Sequence, residues 1–338
     1  MNLNLNLSKV IYSFLLVLMS AICSAQTTFY VASDGNDTAL GTSEATAWKT
    51  LSKVSAQTFS SGDVILFKRG QVFQGKLRIT SSGVTVDAYG TGVAPILSGA
   101  EQINTTWTVY SGNIWETTFA AGKPAQINNL FKANSKLPIS RHPNPSVNNG
   151  YFNLESHSGL TQFTDNELTG AINWTGAELV LRSERWRVNR TQVLTHSGNT
   201  LTIPSSSAIA NVRDGYGYFF VNDVKAADTE GEWAYNATTG KVYLYSAANP
   251  NSQAITFPRV DTVMVIKNAS NVTIRNLDIK YGSRFLIFLA SSSQSMIENV
   301  KLSHSGGDGI NYTGCVGGTL QNSQISYINN TGVFANTS

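Results

Sequence analysis

The sequence predicts an all-β chain wound into stacked coils, and three observations predict it. The first is a repeat: Asn276, Asn299 and Asn322 recur every 23 residues, as do Ile274, Ile297 and Leu320, then Ile279, Leu302 and Ile325. A fourth column, Met264, Ile287, Ile310 and Val333, spans four successive turns. Periods of this size mean stacked units that share one core. The second is alternation: Val272-Thr273-Ile274 and Leu277-Asp278-Ile279 place apolar and polar residues in turn, the period of a strand with one buried face. The third is the corner between them, Arg275-Asn276, where Asn tolerates the left-handed backbone a tight turn needs. Stacked asparagines also pass hydrogen bonds from one amide to the next. The leucine spacing of a leucine-rich repeat is absent.

Composition supports this class and excludes others. The chain has 338 residues, 41% hydrophobic and 13% charged, with 28 glycines and 8 prolines. The apolar content excludes a disordered chain, and the low charge argues against a coiled coil or a nucleic-acid-binding protein. A net charge of +3 identifies no partner.

Taken in order, residues 1–25 read as a secretory signal, cleaved after Ala25. Lys9 supplies the positive charge, residues 10–22 a short apolar run, and Cys23-Ser24-Ala25 the small residues before cleavage. The run is too short to span a bilayer comfortably. The expected location is secreted or on the cell surface. With the signal removed Cys315 is alone, so no intrachain disulfide forms and Cys315 is expected to be a small buried residue.

Residues 26–100 read as a cap and first coils. Phe29-Tyr30-Val31-Ala32-Ser33-Asp34-Gly35-Asn36-Asp37, then Trp48-Lys49-Thr50-Leu51, then Gly62-Asp63-Val64-Ile65-Leu66-Phe67-Lys68-Arg69-Gly70 precede the strands Val84–Tyr89 and Pro95–Gly99. An open coil exposes unpaired backbone groups, so such an end needs covering. A short helix over residues 47–56 is expected there. Residues 101–260 lack the 23-residue period but remain β-rich. Strands are expected over 177–190 and 200–203, with a hairpin turning at 236–240. Residues 261–338 carry the repeat, which stops at Ser338 with no capping segment and reads as truncated.

With these residues on view, the segment 262–338 resembles the right-handed parallel β-helix proteins of the pectate lyase-like superfamily, with their asparagine ladder. The first part of the chain resembles the N-terminal cap of secreted members. The resemblance implies an all-β, right-handed parallel β-helix with an inserted β-rich domain and a short N-terminal capping helix.

A stack of coils offers a long flat face whose side chains repeat at the interstrand spacing, which suits an extended, acidic polysaccharide. Two chemistries fit. A lyase eliminates across a uronate and needs a base and a cationic centre. A glycoside hydrolase needs two carboxylates about 5–9.5 Å apart. The columns contain no stacked acids: Asp308 aligns with Phe285 and Thr331, Glu298 with Arg275 and Gln321, Asp278 with Lys301 and Gln324. Elimination is therefore the first expectation, with hydrolysis by acids of the insertion or of missing coils as the alternative, and a non-catalytic glycan-binding adhesin as a third.

The candidate catalytic pair is His304 and Asp308, in a glycine-rich loop, with His304 as base and Asp308 orienting it. The structural alternative has His304 stacking with its column partners Tyr281 and Tyr327, and Asp308 fixing a turn. Candidate substrate-binding residues lie in the insertion. Arg141 and His142 resemble a loop motif of secreted β-helix proteins, with a proline-stiffened turn as the alternative; Arg185 and Arg187 share a strand face opposite Trp186, with a solvated strand surface as the alternative; Trp233 beside Glu230 and Glu232 is a sugar platform or, more economically, part of a packed hairpin. Lys68 and Arg69 are expected to salt-bridge neighbouring loops. Asp34, Asn36 and Asp37 offer oxygen ligands compatible with calcium, the one cofactor raised.

Overall fold

The computed structural model describes residues 26–168, 170 and 172–336; the predicted signal segment lies outside them. The chain divides into two compact units, one formed by the residues up to Gly99 with those from Val260 onward, the other by Ala100–Arg259.

The first unit is a right-handed parallel β-helix of three sheets. One contains Thr28–Val31, Val64–Lys68, Thr85–Tyr89, Thr273–Arg275, Met296–Glu298 and Thr319–Gln321. The second contains Val72–Gln74, Ile96–Ser98, Asp278–Lys280, Lys301–Ser305 and Gln324–Ile328, and the third Leu77–Ile79, Thr262–Lys267, Phe285–Ala290, Asp308–Thr313 and Val333–Asn336. Adjacent strands in all three are parallel. The sequence columns are the registers: Ile274 pairs Ile297, which pairs Leu320, and Met264, Ile287, Ile310 and Val333 pair in turn. Ile274, Ile297, Met264, Ile287 and Ile310 point inward with Ile65, Phe67, Leu77, Val86 and Leu97 to form one core, while Leu320 and Val333 are exposed. Each such fully buried side chain contributes about 1.5–3 kcal/mol. Cys315 is buried at its margin, as a free thiol.

The coils on either side of the insertion are neighbouring rungs. Thr85 and Val86 pair Thr273 and Ile274, and Ile96–Ser98 pairs Asp278–Lys280. The asparagine corners sit in the left-handed region, with φ of 60° at Asn276, 49° at Asn299 and 51° at Asn322. Asn299 Nδ2 donates to Asn276 Oδ1 at 2.6 Å, and Asn276 Nδ2 donates to Asp87 Oδ1 at 2.6 Å. Asp87 can only accept, so it orients the amides beneath it. Arg275 Nε binds the other Asp87 oxygen at 2.6 Å, rather than Glu298, which accepts from Gln321 Nε2 at 2.8 Å.

The cap helix is Leu51–Ser55, shorter than expected. Thr50 ends it as N-cap, its side chain accepting from Lys53 N, while Trp48 remains extended and bridges Val31. Leu51 and Val54 join the core, and Ser55 Oγ accepts from Arg78 N at 2.9 Å, covering part of the exposed edge of Leu77–Ile79. Lys68 lies 3.7 Å from Asp34, the expected loop ion pair.

The second unit is antiparallel. One sheet orders Arg141–His142, Gly217–Val221, Glu178–Glu184 and Arg187–Gln192, with Phe152–Asn153 beside Gly217–Val221. Another orders Trp233–Asn236, Lys241–Tyr245, Ile114–Thr117 and Thr108–Ser111. The unit contains two apolar clusters, one around Phe163, Trp174, Tyr218 and Phe220, the other around Trp107, Trp233, Leu244 and Phe257. Residues 177–190 are a hairpin rather than one strand: Glu184 pairs Arg187, and Arg185-Trp186 form the turn. The turn follows the polar run Arg182-Ser183-Glu184 and contains no Gly, Pro, Asn or Asp, so no turn residue marks it. No helix among the described residues is long and apolar enough to cross a membrane.

Candidate functional site

His304 and Asp308 occupy structural positions. His304 is at a corner with φ 63°, its ring stacked on Tyr327 (4.8 Å between centroids, 17° between planes) and tilted against Tyr281 at 5.2 Å. Its Nδ1 lies 3.0 Å from Ser303 Oγ. Asp308 is buried; Oδ2 accepts from Asn311 Nδ2 at 2.9 Å, and Oδ1 from Asn330 Nδ2 at 2.7 Å and Thr331 N at 3.3 Å. A carboxylate saturated in this way fixes a turn. This geometry matches the structural alternative for both residues and assigns no base.

The cationic candidates of the insertion separate into two groups. Arg141 lies against Phe219, 3.6 Å from the ring centroid, and Nη2 donates to the Gly150 carbonyl. His142 stacks on Trp174 at 5.0 Å, and burial pushes its imidazole below the usual value. Both are pins of the sheet rather than a grip over the coils. Arg185 and Arg187 are exposed, but at a hairpin tip, where Arg185 is in the turn and the two do not share a strand face. Trp233 is 1% exposed, with Nε1 donating to Leu137 O at 3.2 Å, so it presents no ring to a sugar. Glu232 beside it is buried, which raises its carboxyl, and Oε2 accepts from Asp228 N and Thr229 N. Glu230 instead accepts from Ser246 Oγ and Ala247 N.

The candidate calcium loop turns its oxygens to the protein. Asp37 accepts from Lys49 N, Thr50 N and Thr50 Oγ1; Asn36 Oδ1 accepts from Thr38; Asp34 accepts from Gln71 Nε2. No group of three or more His, Cys, Asp or Glu residues among those described is arranged to hold a metal.

The second unit holds a polar cleft of about 510 Å³ that sequence reasoning did not find. Its walls are Glu178, Arg190 and Gln192 from the hairpin, Asn222 and Asp223 after the Gly217–Val221 strand, and Tyr235, Asn236, Thr238 and Tyr243 from the adjoining hairpin. Glu178 pairs Val221, the last residue of its strand, and Asp223 lies two residues on, past Asn222, as N-cap of the short turn Val224–Ala226. Each acid has a cation: Arg190 Nη1 is 2.5 Å from Glu178 Oε1, and Lys225 Nζ is 3.3 Å from Asp223 Oδ2. Asp223 Oδ1 also accepts from Lys225 N at 2.9 Å, which fixes its rotamer. Asn222, at φ 54°, accepts from Tyr235 N at 2.7 Å and anchors that wall. Burial raises the Tyr243 phenol, with Glu116 and Asp223 acting in the same direction. The sequence signal was slight, since Glu178 and Asp223 are 45 positions apart in numbering and belong to no motif.

With fold and cleft described, the comparisons can be stated. Residues 262–338 match the family described as "Right handed beta helix region". No curated protein matches the chain. Among solved structures it is similar to one described as a glycoside hydrolase, at 14% identity and a TM-score of 0.70, over 88% of this chain and 65% of that one. Two others are a GH136 lacto-N-biosidase from Eubacterium ramulus (12% identity, TM-score 0.39, 94% of this chain and 37% of that one) and XylC in complex with xylose (13%, 0.38, 91% and 63%). The chain therefore spans less than two thirds of the length of each. At such identities the 0.70 match concerns the fold, and the molecule is a right-handed parallel β-helix protein with a β-rich insertion.

Proposed function

We propose that this is an exported, carbohydrate-active β-helix protein that cleaves a glycosidic bond by hydrolysis in the Glu178–Asp223 cleft. The carrying observation is that Glu178 and Asp223 both line one open polar cleft. An inverting hydrolase needs two such carboxyl groups roughly 6.5–9.5 Å apart, with room for a water between acid and base. The likeness to a glycoside hydrolase over 88% of the chain supports the same chemistry. The same likeness favours hydrolysis over elimination, since the 0.70 match is to a structure described as a glycoside hydrolase.

Glu178 is the proton donor in this reading. Its partner Arg190 is 60% exposed, and an exposed ion pair is worth about 0–1 kcal/mol, so an entering saccharide hydroxyl displaces it readily. Asp223, oriented by Lys225, is the base. It takes a proton from the attacking water as the water oxygen bonds to the anomeric carbon. The bond from that carbon to the glycosidic oxygen breaks, and Glu178 protonates the leaving oxygen, with inversion.

The test incubates the full-length protein with neutral xylan and galactan oligosaccharides and with pectate, alginate and chondroitin. Reducing ends and the ultraviolet absorbance of unsaturated products are both followed. Reducing ends without that absorbance, lost about 10²–10⁴-fold in Glu178→Gln and in Asp223→Asn, are expected. Absorbance of unsaturated products would restore elimination. A second reading, non-catalytic glycan binding, is favoured by the cation already matched to each acid, and binding without turnover would establish it. Export predicts a mature chain beginning at Gln26, read by N-terminal sequencing.

A further inference from the structure

The Glu178–Glu184 and Arg187–Gln192 hairpin ends in a turn whose side chains are turned to solvent. Trp186 is 79% exposed, the highest exposure among the described large hydrophobic residues, and Val188 beside it is 61% exposed. Arg182, Arg185 and Arg187 are also exposed. The hairpin's carboxylates do not neutralise them: Glu178 is taken by Arg190, and Glu184 by Arg213 and Asn211. Among the described residues none of the three arginines is in a salt bridge. Arg182 Nη2 donates to Arg185 O at 3.0 Å, which ties the guanidinium to the turn.

An isolated exposed apolar residue is ordinary. An exposed indole at a turn tip, with Arg185 and Arg187 on either side of it in the chain and Arg182 tied to the same turn, combines a flat apolar face with forked donors that match carboxylate or sulfate oxygens. We propose that this tip is a second binding site, separate from the cleft, for an anionic polysaccharide. The indole lies on a sugar ring, and the arginines engage the acidic groups to either side. The chemistry favours a glycan over the other polyanions. With 13% charged residues and a net charge of +3, the chain lacks the broad basic face that tracks a nucleic-acid backbone. Membrane insertion would require a wider apolar surface than one tryptophan and one valine. The seven-residue strand between cleft and tip spans about 20 Å, so the two sites can be perturbed separately.

The experiment is affinity electrophoresis of the full-length protein in gels containing polygalacturonate, heparin or neutral dextran, with duplex DNA and phosphatidylserine vesicles as competing polyanions. Retardation by polygalacturonate or heparin and not by dextran is expected, weakening as salt screens the exposed charges. Trp186→Ala, and separately Arg185→Ala with Arg187→Ala, should each weaken it about tenfold with the thermal midpoint unchanged. Glu178→Gln should abolish hydrolysis and leave retardation intact, so retained hydrolysis with retained retardation would overturn the cleft assignment alone. Absence of retardation by both acidic polymers, tip variants that bind as the parent does, or tighter binding to DNA or vesicles than to either glycan would overturn the tip site.

Discussion

Asp165 shows how burial sets the chemistry of a single side chain. It is fully buried, and burial pushes its carboxyl above the ordinary value of 3.8, with Glu155 and Glu167 adding in the same direction. The Tyr218 hydroxyl beside it is likewise raised by burial; neither Tyr218 Oη nor Asp165 Oδ2 reaches hydrogen-bond geometry. A folded-state value above the unfolded one means the neutral acid is the preferred folded form. Its contribution to stability is full below about pH 4 and is lost as pH rises through the folded value. Asp165→Asn keeps an acceptor for Glu167 N, its present partner, and should narrow the gap between urea midpoints at about pH 5 and pH 8. An unchanged gap would place the effect elsewhere; a residual slope is expected from Glu232, which is raised for the same reason.

Asn276 tests a second residue-scale term. Replacing it with Ala removes two ladder hydrogen bonds and leaves a Cβ residue at φ 60° without the side chain that tolerates it, a cost of about 2–3 kcal/mol. Asn276→Gly relieves the backbone and retains only the hydrogen-bond loss. Denaturant midpoints should therefore fall in the order Asn, Gly, Ala. Equal midpoints for Gly and Ala would remove the backbone contribution.

At the scale of the element, coils approach one another closely where a side chain is missing. A Cβ at Gly307 would lie 2.3 Å from Arg284 O, and one at Gly99 2.3 Å from Tyr281 O, both backbone atoms of a neighbouring segment. Gly307→Ala must push the strands at that point apart and should lower the denaturant midpoint by about 1–3 kcal/mol of stability. A midpoint within error of the parent would show that the rungs yield. Elements of this kind were legible in the sequence wherever the repeat ran. The columns of Met264, Ile274 and Ile279 are the observed registers because an inward side chain meets its counterpart one coil along. The Arg185-Trp186 turn was not legible, since neither residue is a turn former. His304 shows both readings side by side. Its type suggested a base, but the Tyr281 and Tyr327 rings of the same column claim its faces.

At the scale of the whole molecule, the insertion interrupts the β-helix without interrupting its sheets. Val260 N donates to Gly99 O at 3.2 Å, and the rungs on either side of the break pair directly. Replacing Ala100–Arg259 with a short glycine-serine link should therefore leave a β-helix that unfolds cooperatively and retains its strand circular dichroism. A broad, non-cooperative transition would show that the coils depend on the insertion for their fold.

The sequence by itself determined the architecture of the coils, because a one-dimensional stack repeats its contacts at a fixed chain separation and so writes them as columns. It likewise marked the asparagine corners, whose backbone demands few residue types. The tertiary structure alone decided what stands across the break. Asp87 meets Arg275 and Asn276 only because the chain returns to the same stack after the insertion. The same holds for the Glu178–Asp223 cleft, whose walls come from strands in antiparallel pairing at unrelated separations. Contacts of that kind leave no period for a sequence to carry, so their chemistry appears only when the strands are side by side.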